Sequence, residues 1–214
     1  MQNYEGYLFD MDGTLVNSEP LKAKALAMTC LEFNVKIKAE IYKEVMGQSW
    51  QAVLEYIFSH AKISKVPESF NPCFEKNYKT LLRAELKLNN GAKRLLNDVK
   101  KNEKKCALVT SASQWMVDTV LSLINLEDVF DVIITNEQVT NLKPHPEAYQ
   151  LALKKLAITS KQAIIFEDSR SGVIAAQASG CEVIGFLHNY NQKHNLAELV
   201  PCIDSFNNYS LTDR

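Results

Sequence analysis

Short apolar runs alternate along most of the chain with longer segments whose apolar residues recur three and four positions apart. The runs are residues 6–10 (GYLFD), 106–110 (CALVT), 132–135 (VIIT), 163–167 (AIIFE) and 182–186 (EVIGF). Their nearly continuous apolar character predicts strands buried on both faces. The helical spacing covers residues 91–100, 115–124, 147–156 and 172–179. Strands alternating with helices of this length predict an α/β fold built on a doubly wound parallel sheet, with reactive groups gathered at the carboxyl edge. The tail from His188 is polar and carries at most a short edge strand at residues 202–203.

Residues 18–88 break the alternation. Helix-like stretches at 21–33, 39–45, 50–61 and 74–86 follow one another with few strand signals between them. The pattern predicts an α-helical cap domain, residues 18–88, inserted into a Rossmann-like core made of residues 1–17 and 89–214.

Composition narrows the class. The 214 residues are 46% hydrophobic and 23% charged, enough apolar material for a packed core. Lys plus Arg (24) nearly cancels Asp plus Glu (25). A dominant nucleic-acid or anionic-membrane surface is therefore not expected. No apolar run approaches the ~18 residues of a membrane span. No basic region followed by an apolar stretch opens the sequence, so no secretory leader is expected. The five cysteines (Cys30, Cys73, Cys106, Cys181, Cys202) are scattered without metal-ligand spacing and fit reduced thiols in a cytoplasmic protein.

Four strand ends carry chemistry: Asp10-Met11-Asp12-Gly13-Thr14, Thr110-Ser111, the loop residues Lys143-Pro144, and Glu167-Asp168-Ser169. Singly, each has an ordinary explanation as a turn, a helix cap or a solvated lysine. Together, at successive strand ends, they fit one site. Carboxylates at Asp10, Asp12 and Asp168 repel one another unless a cation lies between them, and hard oxygen donors suit Mg²⁺. Lys143 as a point charge and Thr110 as a hydrogen-bond donor suit a dianionic phosphoryl group. An Asp10 oxygen can then attack phosphorus, while Asp12, two residues on, protonates the leaving oxygen and later deprotonates water.

These residues resemble the haloacid dehalogenase superfamily. The resemblance runs from Asp10 to about Phe186, through LFDMDGTLVNSEPL, ALVTSAS, LKPHPEAY and IIFEDSRSGVIAAQASG, with intervals of 100, 33 and 25 residues between Asp10, Thr110, Lys143 and Asp168. The inserted segment is similar to the helical cap of the phosphatase and β-phosphoglucomutase-like branch, and Gly47-Gln48-Ser49 matches that cap's G-x-S element. The resemblance implies Asp10 as nucleophile and Asp12 as general acid/base with its backbone carbonyl on Mg²⁺. It also implies that Thr110 and the Ser111 amide hold the phosphoryl group, that Lys143 bridges nucleophile and phosphate, and that Asp168 completes the metal site with Glu167 in support. Haloalkanoic acid dehalogenases lack an aspartate at position 12, and the related ion-pumping ATPases carry threonine there.

Asn17, Lys22, Trp50 and Arg170 depart from the pattern of the branch. Trp50 stands where β-phosphoglucomutase places an arginine for a second phosphate, and Lys22 where many members have histidine. Both changes favour a hydrolase over the alternative, a β-phosphoglucomutase-like phosphosugar mutase. Gly47, Ser49, Lys22 and Trp50 are candidate substrate contacts. Trp50 fits stacking on a substrate or packing between cap helices, and Lys22 fits an anion contact or a solvated position. Phospho-accepting signalling domains also gather acids, a hydroxyl and a lysine at a sheet edge. They have no inserted cap, and their acidic pair lies a whole strand–helix unit before the accepting aspartate. An idle binding protein of the same fold fits poorly with the intact set of Asp10, Asp12, Thr110, Lys143 and Asp168. The expected protein is a cytoplasmic Mg²⁺-dependent phosphatase for a small phosphorylated metabolite, monomeric or weakly dimeric, without nucleic-acid or membrane partners.

Overall fold

The computed structural model describes residues 4–61 and 66–211. The apolar runs form β1 (Gly6–Phe9), β2 (Lys105–Val109), β3 (Val132–Ile134), β4 (Ala163–Glu167) and β5 (Glu182–Phe186), and β6 (Cys202–Ile203) is the short edge strand. All pairs are parallel, in the order β3-β2-β1-β4-β5-β6. The chain winds outward from β1 to β3, returns to β4 beside β1, and continues the other way. The crevice where winding reverses therefore opens between the carboxyl ends of β1 and β4.

Alternation explains why the strands are apolar at nearly every position. Tyr7 and Phe9 of β1, Cys106 and Leu108 of β2, and Ile164 and Phe166 of β4 pack into one layer. Leu8, Ala107, Val109, Ala163 and Ile165 pack into the other. Helices α4 (Ala92–Lys101) and α5 (Gln114–Ile124) cover the first face, through Leu95, Val99, Val117 and Val120. Helices α6 (Glu147–Leu156) and α7 (Arg170–Ala178) cover the second, through Tyr149, Ala152, Val173 and Ala176.

Between β1 and α4 the chain forms α1 (Glu19–Glu32), a 3₁₀ segment at Ala39–Glu44, α2 (Trp50–His60) and α3 (Phe70–Glu85). Helix α1 packs along α3. Two details differ from the sequence pattern. The segment at 39–44 is a tight 3₁₀ helix with no side-chain cap and only Tyr42 buried, so little sustains a longer α-helix there. Helix α3 starts four residues earlier than its apolar spacing indicates, because Pro72 falls in its first turn, where a missing N–H breaks no helical bond.

The strands of chain that enter and leave this helical segment are tied together. Val16 bridges Leu88, Asn17 N donates to Lys87 O at 2.9 Å, and Asn89 N donates to Leu15 O at 2.8 Å. The Asn89 side chain donates to the carbonyls of Gly13 and Thr14.

The tail, polar by composition, also closes the core. Phe166 stacks on Phe9 with centroids 5.1 Å apart and meets Phe206 and Tyr209 edge-on. The five cysteines form no disulfide. No described helix is long and apolar enough to cross a membrane. Because Phe166 joins strand layer and tail, Phe166→Ala is expected to cost about 3–5 kcal/mol of unfolding free energy, measurable by urea titration.

Candidate active site

Asp10 is the first residue beyond β1. Its N–H donates to Phe166 O at 3.0 Å, so the β1–β4 ladder runs one residue into the crevice and delivers the carboxylate there. Gly13 turns the chain after Asp12 with φ +79°, and a Cβ at that position would lie 2.1 Å from Asp168 Oδ2. Only glycine meets both conditions. Beyond β2, Thr110 is buried, with its N–H on Ile134 O and its Oγ1 accepting from Ala112 N at 3.0 Å. Beyond β4, the Ser169 side chain caps α7 by accepting from Gly172 N at 3.0 Å.

Lys143 reaches the centre of this edge from the loop before α6. Its Nζ donates to Asp10 Oδ1 at 2.7 Å, Glu167 Oε1 at 2.6 Å and Val109 O at 2.9 Å. Burial opposes its charge, but Asp10 and Glu167 outweigh that and raise its pKa. Glu167 is fully buried and takes further bonds from Tyr149 OH at Oε1 and from Ser169 N and Oγ at Oε2. These four protein donors occupy its carboxylate, so Glu167 fixes Lys143 from below. Gly172 makes room for it, since a Cβ there would sit 1.9 Å from Glu167 Oε1.

Asp168 is held differently. His188 Nε2 lies 2.8 Å from Oδ2, Thr14 Oγ1 lies 3.4 Å from Oδ1, and Asn191 donates to the Asp168 carbonyl at 2.8 Å. Ligand oxygens of Asp10, Glu167 and Asp168 lie within 4.8 Å of one another. Burial pushes both Asp10 and Asp168 well above the ordinary aspartate value, with neighbouring carboxylates adding to the shift and Lys143 opposing it. With both Glu167 oxygens taken by Lys143, Tyr149 and Ser169, the Asp10 and Asp168 carboxylates are the hard oxygen donors that suit a Mg²⁺ ion, with Glu167 in support.

The Asp12 side chain stands apart from that cluster. It accepts from Ser18 Oγ and from Tyr78 OH at 3.4 Å, and its Oδ2 lies 3.0 Å from Lys22 Nζ. Lys22 also pairs with Glu19 at 3.0 Å. Burial opposes charge on Lys22, yet Asp12 and Glu19 outweigh it and raise its pKa.

A cavity of about 300 Å³ lies above these groups, and Asp10, Asp12, Thr110, Ser111, Lys143 and Asp168 form its floor. Lys22, Gly47 and Trp50 reach it from the helical segment. Trp50 both lines the cavity and packs on Phe74, with centroids 4.3 Å apart, while its Nε1 donates to Asn71. Ser49 is not brought to the cavity; it is exposed and caps α2 by accepting from Ala52 N. Glu167 lies beneath Lys143 rather than on the cavity wall. The helical segment is seated on the sheet domain: Ser171 Oγ donates to Gly47 O at 2.7 Å, Lys193 pairs with Glu44, and Lys43 lies over the Tyr190 ring.

Several residues at the site were not singled out from sequence. Glu19 lies inside the NSEPL stretch of the first motif and was within reach of motif reasoning. Tyr78, Trp115, Glu75 and His188 were not, because they lie outside the motifs, and Trp115 and Glu75 meet the cavity, Tyr78 meets Asp12 and His188 meets Asp168 only after folding.

Residues 7–186 match the model of the haloacid dehalogenase-like hydrolases. The chain belongs to that family. Within it, the chain is 33% identical over 195 residues to a phosphorylated carbohydrates phosphatase of Thermotoga maritima, covering 91% of this chain and 90% of that protein. It is 25% identical to a phosphoglycolate phosphatase of Colwellia psychrerythraea, over 97% and 96% of the two chains. Among solved structures, a variant of CbbY from Rhodobacter sphaeroides in complex with xylulose-(1,5)bisphosphate superposes with a TM-score of 0.85 at 26% identity, covering 95% of each chain. The doubly wound α/β architecture is thus that of the haloacid dehalogenase-like hydrolases.

The raised pKa values of Asp10 and Asp168 mean that the folded state binds more protons than the unfolded one above the ordinary value of 3.8. Stability from these groups is therefore greatest at low pH and falls as pH rises from that value through the folded-state pKa. In EDTA, Asp168→Asn is expected to stabilise the protein at neutral pH, with the gain shrinking as pH falls toward the ordinary aspartate range. Thermal unfolding of both proteins across that pH range measures the difference.

Proposed function

We propose that the chain is a Mg²⁺-dependent phosphatase that hydrolyses a small phosphomonoester through an aspartyl phosphate on Asp10. Residues 18–88 serve as the cap, and residues 1–17 and 89–214 as the catalytic core. The observation that carries the proposal is the Asp10 carboxylate, ordered by Lys143 at 2.7 Å and opening into a cavity that the cap covers on its far side.

The phosphoryl group sits at the floor of the cavity, where Lys143 neutralises its charge and the Thr110 hydroxyl and Ser111 amide donate to its oxygens. The Asp10 carboxylate attacks phosphorus while Asp12 gives a proton to the departing ester oxygen. Asp12 then takes a proton from the water that attacks the aspartyl phosphate, and inorganic phosphate and free Asp10 result. Ser18, Tyr78 and Lys22 hold the Asp12 carboxyl at the cap–core boundary, clear of the metal-binding oxygens. The Asp10 and Asp168 carboxylates and the Asp12 carbonyl would hold Mg²⁺, which would supply positive charge against the repulsion between nucleophile and phosphate. Glu167 supports that arrangement through its grip on Lys143. The cap excludes bulk water during the reaction and limits the substrate to a small molecule.

Hydrolysis is favoured over a mutase reaction by the cations at the cavity. Among the described residues lining it, Lys143 and Lys22 are the basic ones, and both are already paired with carboxylates. A bisphosphate intermediate needs a further cationic grip. The relatives named as phosphatases of phosphorylated carbohydrates and of phosphoglycolate support the same choice. Near-neutral net charge and unpaired thiols suit work in the cytoplasm, as a monomer or weak dimer.

Inorganic phosphate release from a panel of sugar phosphates and phosphorylated acids, run with Mg²⁺ and with EDTA, tests the proposal. Release is expected with Mg²⁺ alone, and Asp10→Asn is expected to lower kcat by about 10³-fold or more. Asp12→Asn is expected to lower kcat by about 10²–10⁴-fold, the range of a lost general acid/base. Conversion of a sugar phosphate to its isomer after priming with a bisphosphate, without phosphate release, would overturn it in favour of the mutase.

A further inference from the structure

The Asp168 carboxyl has two unlike oxygens. Oδ2 lies 2.8 Å from His188 Nε2. Among the described residues, Thr14 Oγ1 is the hydrogen-bond donor to Oδ1, at 3.4 Å, well beyond the usual O–H···O distance. The hydrogen on the His188 ring is placed by the backbone. Tyr190 N donates to Nδ1 at 3.2 Å, so Nδ1 is an acceptor and the ring hydrogen stands on Nε2, where it donates to Asp168 Oδ2. A ring that accepts at Nδ1 is neutral.

The loop around His188 holds the ring in that pose. Asn191 Oδ1 accepts from His188 N at 2.9 Å, and Asn191 Nδ2 donates to the carbonyls of Asp168 and Phe186 at 2.8 and 2.7 Å. One buried amide thus ties the backbone that carries His188 to the backbone that carries Asp168. The turn after Asp12 closes the pair from the other side. A Cβ on Gly13 would lie 2.1 Å from Asp168 Oδ2 and 2.9 Å from His188 Nε2. Imidazole and glycine backbone therefore enclose Oδ2, and Oδ1 is the oxygen left to meet a cation at the cavity floor.

A neutral donor suits that position. Asp10 is oriented by the full positive charge of Lys143. A second ammonium on Asp168 would orient it equally well but cancel the negative charge that draws a divalent ion. A neutral N–H fixes the plane of the carboxylate and leaves its charge in place.

We propose that His188 is a positioning residue for the metal site, its Nε2–H holding Asp168 Oδ2 so that Oδ1 is presented to Mg²⁺. The proposal rests on the reading of Asp168 as a Mg²⁺ ligand in the phosphatase.

Metal binding tests it without turnover. His188→Gln and His188→Asn carry the same amide one methylene apart, and only the longer side chain sets its amide N–H where Nε2 stands. Mg²⁺ is titrated calorimetrically into each metal-free protein. His188→Asn is expected to bind Mg²⁺ about 10–100-fold more weakly than the unsubstituted chain, and His188→Gln within about threefold of it. A role in packing alone would lower the melting temperature of the variants in EDTA and leave their Mg²⁺ affinity unchanged. That result, or equal weakening in both variants, would overturn the proposal. The unsubstituted protein supplies a second test that needs no variant to fold. Nitrogen NMR of the His188 ring at neutral pH is expected to show hydrogen on Nε2 and none on Nδ1, and the reverse tautomer or hydrogen on both would overturn it. If the unsubstituted protein binds no Mg²⁺, the metal site and its positioning residue fall together. Mg²⁺ binding with the expected dependence on His188, but no hydrolysis of any phosphomonoester, would uphold the proposal and count instead against the phosphatase reading.

Discussion

A single buried ammonium joins the three central strands at their reactive edge. Lys143 Nζ bonds Asp10 at the end of β1, the Val109 carbonyl at the end of β2 and Glu167 at the end of β4. None of these groups is well solvated, and each alone is costly to bury. Their mutual satisfaction is what lets two carboxylates lie at the crevice of a largely apolar sheet. The arrangement also sorts their roles. Glu167 spends its acceptors on Lys143, Tyr149 and Ser169, whereas Asp10 meets Lys143 through Oδ1 and lines the cavity. Burial and its acidic neighbours then leave Asp10 short of positive charge, a deficit that suits a cation and a phosphoryl acceptor.

Asp12 belongs to a second, separate set of contacts. Ser18, Lys22 and Tyr78 come from the start of α1 and from α3, so the carboxyl group proposed to move protons is gripped by helices outside the sheet. Two carboxylates two residues apart thus have unlike surroundings, one anchored in the sheet edge and the other tethered to the helical segment. Such a difference in environment is how acid and nucleophile roles are divided between like groups.

Much of this was legible in the sequence. Strands β4 and β5 coincide with their apolar runs, because a strand buried on both faces leaves no amphipathic ambiguity. The floor of the site was equally legible, since Asp10, Thr110 and Asp168 sit where strands end and β-sheet topology does the rest. The walls were harder. Ser49 looked like a substrate contact from its place beside Gly47, but a serine directly before a helix is drawn to cap it, and Ser49 does. His188 and Asn191 lie in a tail that composition marks as polar surface, and only the return of β5 to the sheet brings them onto Asp168. Glu75 and Tyr78 lie on one turn of an ordinary amphipathic helix. Nothing in local spacing says which of its faces meets a cavity.

The paired ribbon at residues 15–17 and 87–89 has a mechanical consequence. Two crossings bonded to each other cannot bend independently, so they leave the helical segment the freedom of a door on a pin rather than of a weight on a string. The same ribbon is stitched into the loop that carries Asp12, through Val16 N on Met11 O and Gly13 N on Val16 O. The pin of the door is thus continuous with the mounting of the carboxyl group proposed to handle protons. Any swing of the door would displace that mounting directly, making the opening angle and the aim of Asp12 one mechanical variable.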